Sequence, residues 1–216
     1  MRRLRGGRIA HGLVALGLLV VTGCVTSGYT YVANDDLGAY FRVPDDYEVF
    51  AAAEVMESAL GEMPDDEAEA VMAREWAVAF DASDDPAVDR FVTQIADPSE
   101  QLAGYARVRT LGMEERLTYS LQSLRTELIP AQQIEALGER LAVRDIVEVS
   151  QDGGQGLKLT FALDMPSGTF VFDQVGLVDD ATSRVYLLAM GCSSDCYEAN
   201  RDAIADISES WTIEER

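Results

Sequence analysis

In the last third of the chain, apolar runs alternate with short clusters of turn residues, and that rhythm predicts most of a fold. Asp145 to Ser150, Gly156 to Met165, Thr169 to Val178 and Arg184 to Met190 read as strands, parted by Asp152-Gly153-Gly154, Pro166-Ser167-Gly168 and Asp179-Asp180. Turn signals at this spacing predict hairpins, and hairpins in succession predict an antiparallel meander. A last helix is expected over about Asp195 to Ser210. Asp195 precedes Glu198 by three residues as a capping-box pair, and Ile204, Ile207 and Trp211 fall on one face, so this helix should close the sheet.

The first half is less regular. Leu37, Ala39, Phe41 and Val43 alternate with outward Tyr40 and Arg42, the period of a half-buried strand, and Pro44-Asp45-Asp46 turns the chain into a second strand at Tyr47 to Phe50. The acidic, alanine-rich stretch from Ala51 to Arg74 is helical in composition, with breaks near Gly61 and Pro64. Trp76, Val78 and Phe80 mark another strand, Pro86 to Gln94 a short helix, and Gly104 to Thr110 a further strand. Leu117, Leu121, Leu124 and Leu128 recur at i, i+4, i+7 and i+11, which places one apolar stripe on a helix beginning after Gly112 and stopping before Pro130. It should pack on the sheet.

The N-terminal residues follow a different logic. Arg2, Arg3, Arg5 and Arg8 precede an apolar segment, Gly12 to Val21, that is too short for a stable bilayer span, which is the layout of an export signal. The segment ends in Val21-Thr22-Gly23-Cys24, which resembles the bacterial lipoprotein signal: an aliphatic residue, two small residues, then the cysteine that takes a diacylglyceryl group. Cys24 is accordingly expected as the lipidated mature N-terminus. The alternative is a free or disulfide-bonded cysteine beside an ordinary signal peptide. The residues around Arg2-Arg3 lack the twin-arginine pattern, so the general secretory route is expected. Residues 1–23 then form the signal peptide, 24–36 a flexible tether, and 37–216 a single domain, since no repeat or second composition regime appears.

Charge narrows the partners. Without residues 1–23, which hold four arginines and no acid, 13 basic groups face 38 acids, and the formal charge moves from −21 to −25. A field of that sign repels nucleic acid and anionic headgroups, so attachment to the membrane is assigned to the acyl chain. One contrast stands out: Arg107, Arg109, Arg116 and Arg125 lie in a stretch that holds few acids. They form either a docking patch for an acidic partner or a set of ion pairs with the protein's own carboxylates.

Catalytic chemistry is limited by what is missing. His11 is the only histidine and leaves with the signal, so Ser-His-Asp and Cys-His arrangements cannot be built, nor can a histidine-containing zinc or copper site. Cys192 and Cys196 are spaced CxxxC, not the CxxC of thiol oxidoreductases, and the copper chaperones that share this spacing also need a histidine. In an exported chain these two cysteines are expected to pair, linking the last strand to the closing helix. Lys158 alternates with Leu157 and Leu159 and is expected in solvent. The acidic pairs Asp45-Asp46, Asp65-Asp66, Asp84-Asp85 and Asp179-Asp180 lack calcium-loop spacing, and no metal or other cofactor is assigned. Carboxylate-only hydrolysis of envelope polymers stays open as the alternative function.

The segment Phe41-Arg42-Val43-Pro44-Asp45-Asp46-Tyr47, the meander, and a closing helix that runs into Ser210-Trp211-Thr212-Ile213 together resemble the PsbP-like domain. That is the fold class of the photosystem extrinsic subunit and of the Ran-binding Mog proteins, also used by secreted lipoproteins of high-GC bacteria. The resemblance spans about Leu37 to Ile213 and departs from the pattern at Tyr47, where tryptophan is usual. It implies an α+β fold, a single α/β/α sandwich with a mainly antiparallel sheet and a C-terminal closing helix. It also implies a non-catalytic module that binds proteins. With the lipid signal, the expectation is a binding or scaffolding lipoprotein on the outer face of the cytoplasmic membrane, its partner another envelope protein.

Overall fold

The computed structural model describes residues 28–61, 63–90, 100–129 and 137–214. The export signal and Cys24 lie outside the described residues, as do residues 91–94 of the helix expected at Pro86 to Gln94, whose residues 86–89 are not helical. In chain order the elements are β1 (Tyr29–Asn34), β2 (Ala39–Pro44), β3 (Glu48–Phe50), α1 (Ala52–Leu60), α2 (Asp65–Met72), β4 (Glu75–Asp81) and β5 (Ala103–Thr110). They continue with α3 (Met113–Thr118), α4 (Leu121–Leu128), a 3-10 turn at Gly138–Arg140, β6 (Leu141–Gln151), β7 (Gly154–Met165), β8 (Gly168–Asp179) and β9 (Arg184–Ser193). The chain closes with α5 (Ser194–Ala199), α6 (Arg201–Ser210) and β10 (Thr212–Ile213).

The predicted meander forms as β6 to β9 and supplies more than half of a seven-stranded antiparallel sheet, in the order β3-β4-β5-β9-β8-β7-β6. Central strand β9, Arg-Val-Tyr-Leu-Leu-Ala-Met-Gly-Cys-Ser, is apolar almost throughout because both of its faces are covered. On one face Val185 and Leu187 meet Leu124 and Leu128 of α4. On the other, Tyr186, Leu188 and Met190 meet Ile204 and Ile207 of α6, together with Phe41 and Val43 of β2. Helix, sheet and helix therefore stack as the α/β/α layers expected. Edge strand β6 is covered on neither face along most of its length.

Three local expectations are corrected, and one further strand had not been expected. The tether was expected to run to Asp36, yet Tyr29–Asn34 pair antiparallel with β2, and the Tyr29 hydroxyl donates to Asp206 at 2.7 Å. Its alternating aromatic and β-branched residues suit a strand. The leucine stripe is split between α3 and α4: the Ser120 hydroxyl accepts from the Ser123 amide and restarts the helix, leaving Leu117 83% exposed while Leu124 is fully buried. The closing helix is likewise two pieces. Ser193, not Asp195, caps α5, accepting from the Cys196 amide, and Asn200 leaves helical geometry between α5 and α6 while its side chain donates to the Cys196 carbonyl. Finally, the residues after Trp211 form β10 on β2, completing a three-stranded sheet β1-β2-β10. Gly38 permits that approach, since its φ is +67° and a Cβ there would lie 2.2 Å from the Glu214 carbonyl oxygen.

Candidate functional site

Two of the four arginines singled out from sequence, Arg107 and Arg109, are drawn into the protein's own carboxylates. Arg107 and Arg109 project from the same face of β5 toward α4, where Glu127 receives both: Arg107 Nη2 at 2.9 Å and Arg109 Nη2 at 3.1 Å. Arg109 also reaches Glu115 at 2.7 Å, Arg107 lies 3.8 Å from Glu75, and the Tyr119 hydroxyl donates to Glu127 at 2.6 Å. Arg116 turns elsewhere and donates to the carbonyls of Ala181 and Thr182, both at 3.1 Å. Arg125 lines a small apolar depression of about 40 Å3 between α4 and β6.

The protonation states follow from this geometry. Burial alone would pull the Arg109 guanidinium below its ordinary value, and the hydrogen bonds it donates to Glu127 and Glu115 more than reverse that. The Gly112 amide, then Arg109, hold the Glu115 carboxyl down at about 2. Burial pushes Glu127 up, but Arg109 and Tyr119 bring it below the ordinary carboxylate range. The Tyr119 phenol is raised, first by burial and then by Glu127. The cluster is thus an ionised network with its charges opposed in pairs.

Among the described residues three acids are buried, and each is satisfied by groups of the same chain. Asp81 accepts from the amides of Ser83 and Ala87 and from Arg90; Asp179 accepts from the amides of Ser183 and Arg184 and from the Ser183 hydroxyl. Asp173, 2% exposed beneath α6, accepts from the hydroxyls of Thr160, Tyr197 and Ser208. Lys158, expected in solvent, instead stands over Asp173 with Nζ 3.5 Å from Oδ1 and its side chain 32% exposed. Burial, then Asp173, push the Tyr197 phenol up to about 12. Among the described residues no three His, Cys, Asp or Glu side chains gather as a metal site would need.

Cys192 and Cys196 are disulfide-bonded across the corner between β9 and α5, with their Cα atoms 5.9 Å apart. Both sulfurs are buried against the core that holds Ile204, Ile207 and Trp211. Among the described residues no helix is long and apolar enough to cross a membrane.

No family model matches the sequence, and no curated protein does. Solved structures do. The cyanobacterial PsbP protein CyanoP from Synechocystis aligns with a TM-score of 0.51 over 92% of this chain and 100% of its own, at 10% identity. The chain has a PsbP-like fold. Two further structures align less closely: LpqN of Mycobacterium tuberculosis, described as involved in cell envelope biogenesis, with a TM-score of 0.48 at 15% identity over 87% of this chain and 91% of its own. The other is the Ran-binding protein Mog1p of Saccharomyces cerevisiae, with a TM-score of 0.47 at 8% identity over 86% and 95%.

Within this PsbP-like frame, the acids that burial could have tuned for catalysis are occupied by backbone amides, hydroxyls and cations of the same chain. A carboxylate saturated in this way serves packing and strand geometry more readily than proton transfer, which needs an accessible lone pair near a substrate. The signal for the Asp81 and Asp179 arrangements was present in the sequence as acidic turn residues followed by Ser. The partners of Asp173 come from β7, α5 and α6, and no local pattern could have found them.

Proposed function

We propose that the protein is a lipid-anchored extracytoplasmic binding or scaffolding protein that does no covalent chemistry of its own. The observation that carries this reading is the Cys192–Cys196 bridge. Disulfides persist outside the reducing cytoplasm. With these two cysteines joined, Cys24 is the one cysteine left, and it stands directly after the apolar run and Thr22-Gly23. The acyl group at Cys24 would hold the domain at the outer face of the cytoplasmic membrane, where an acidic body of this charge is repelled by anionic lipid and extends into the envelope space. A non-catalytic role is supported by the saturated buried acids and by a chain whose only histidine precedes Cys24.

The partner envisaged is another envelope protein. Crosslinking in intact cells followed by mass spectrometry tests this directly. The proposal predicts recurrent crosslinks to one or a few envelope proteins, reduced when Cys24 is replaced by serine and the domain is released. Turnover of a peptidoglycan or polysaccharide substrate by the purified chain, abolished by substituting a single carboxylate, would overturn it.

A further inference from the structure

On the face of the large sheet beneath α6, a cavity of about 200 Å3 opens between the ends of β6, β7 and β8 and the last turn of α6. Apolar Val149, Val175 and Leu177 line it, together with Gln151, Lys158 and Trp211. Two of these side chains carry buried donors without a partner among the described residues, Gln151 Nε2 and Trp211 Nε1. Trp211 is 3% exposed. An indole N–H can only donate, and a buried donor left unpaired carries its full desolvation penalty, so such atoms mark places where an acceptor belongs.

The third donor is the ammonium of Lys158, the only lysine in the chain. Its 3.5 Å approach to Asp173 is longer than the roughly 2.7–2.9 Å of a tight charge-assisted bond, and an ammonium has three hydrogens to give. Asp173 meanwhile is occupied by Thr160, Tyr197 and Ser208. The unsatisfied groups on this wall are therefore donors, one of the nearby groups is cationic, and Val149, Val175 and Leu177 supply the aliphatic part of a lining that also holds Ser150, Ser208 and Glu209. At ~30 Å3 per water the cavity holds about six or seven waters, which is also the size of a carboxylic acid of about six non-hydrogen atoms.

We propose that this cavity binds a small organic carboxylate. Its oxygens accept from Trp211 Nε1, Gln151 Nε2 and Lys158 Nζ, and its alkyl part lies against Val149, Val175 and Leu177. Exposed Glu209 at the rim opposes an anion, and salt screens that repulsion, so affinity is set by the donors inside. The site does not depend on the lipid anchor or on the envelope partner.

The chain has two tryptophans, Trp76 and Trp211, so two indole N–H signals in a 1H–15N spectrum of the full-length protein in detergent report separately, and Trp76→Phe assigns them. Sodium butyrate is the probe and butyramide its neutral counterpart, both added at constant ionic strength. With butyrate the Trp211 signal moves downfield and saturates while that of Trp76 stays. Butyramide binds at least about tenfold more weakly, as do butyrate complexes of Lys158→Met and Gln151→Glu, each change removing one charge-assisted or buried donor. Gln151→Glu leaves the Lys158–Asp173 contact in place, so the test stands even if Lys158→Met fails to fold. Lack of a saturating Trp211 shift, an equal response to butyramide, or a parallel shift of Trp76 overturns the proposal.

Discussion

Glu127 is the hub on which Arg107, Arg109 and Tyr119 converge, and Glu127→Gln asks whether the arginines are held there or free for a partner. Glutamine keeps one acceptor oxygen and loses the charge, so two of the four bonds, at 2.9, 3.3, 3.1 and 2.6 Å, are lost or weakened. Charge-assisted bonds contribute about 1.5 kcal/mol each at the low end, about 3 kcal/mol for two. That figure shrinks because Arg109 keeps Glu115 at 2.7 Å and because the arginine and glutamate side chains are 18–27% exposed to water. A net loss of about 2 kcal/mol follows, or about 4–8 °C in Tm for a domain of this size. Thermal unfolding followed by circular dichroism measures it, and Arg109→Met with the double variant should give a coupling of about 1 kcal/mol or more. The pH dependence has a definite sign. Folded Glu127 titrates below its unfolded value of about 4.3, so its contribution is present above that value and is lost as the pH falls through the folded one. The gap in Tm between the native chain and Glu127→Gln should accordingly narrow from about pH 6 to about pH 3. A variant within about 0.5 kcal/mol of the native chain at neutral pH would refute the reasoning and return these arginines to the docking surface.

Further perturbations separate packing from exposure. Replacing Cys192 and Cys196 together by serine removes a loop closed over four residues, worth about 2 kcal/mol by chain entropy, and should lower Tm by about 4–8 °C with the fold retained, as read by calorimetry. Leu124→Ala should cost about 2–5 kcal/mol in chemical denaturation, whereas Leu117→Ser, at a residue on the same sequence stripe, should change stability by less than about 0.5 kcal/mol. Gly156→Ala should strongly reduce the yield of folded protein, because the new Cβ would sit 1.8 Å from the Gly176 carbonyl oxygen and β7 and β8 would have to separate.

How much of this was legible in the sequence depends on the range of the signal. The meander from β6 to β9 was readable to within a few residues, because alternation and turn residues are local and each hairpin folds on its neighbour. The split at Ser120 was not, since leucines at helical spacing ran through it and a hydroxyl bonding the amide three residues onward leaves no mark on apolar periodicity. Strand β1 was hidden by its nearness to Cys24: Tyr29–Asn34 has a strand's composition, but its reason to be ordered is β2 beside it and Asp206 on a distant helix. The arginine cluster was visible as residues, but its carboxylate partners come from β4, α3 and α4 and only the fold brings them close. The wall formed by Gln151, Lys158 and Trp211 was wholly out of reach, being assembled from β6, β7 and the end of α6.

The intact mass of the protein extracted from its native membrane tests lipidation at Cys24 most directly. The predicted result is a chain beginning at Cys24, heavier than its polypeptide mass by a diacylglyceryl group, with Cys192 and Cys196 oxidised. A mature chain that begins anywhere else, or an unmodified Cys24, would contradict it.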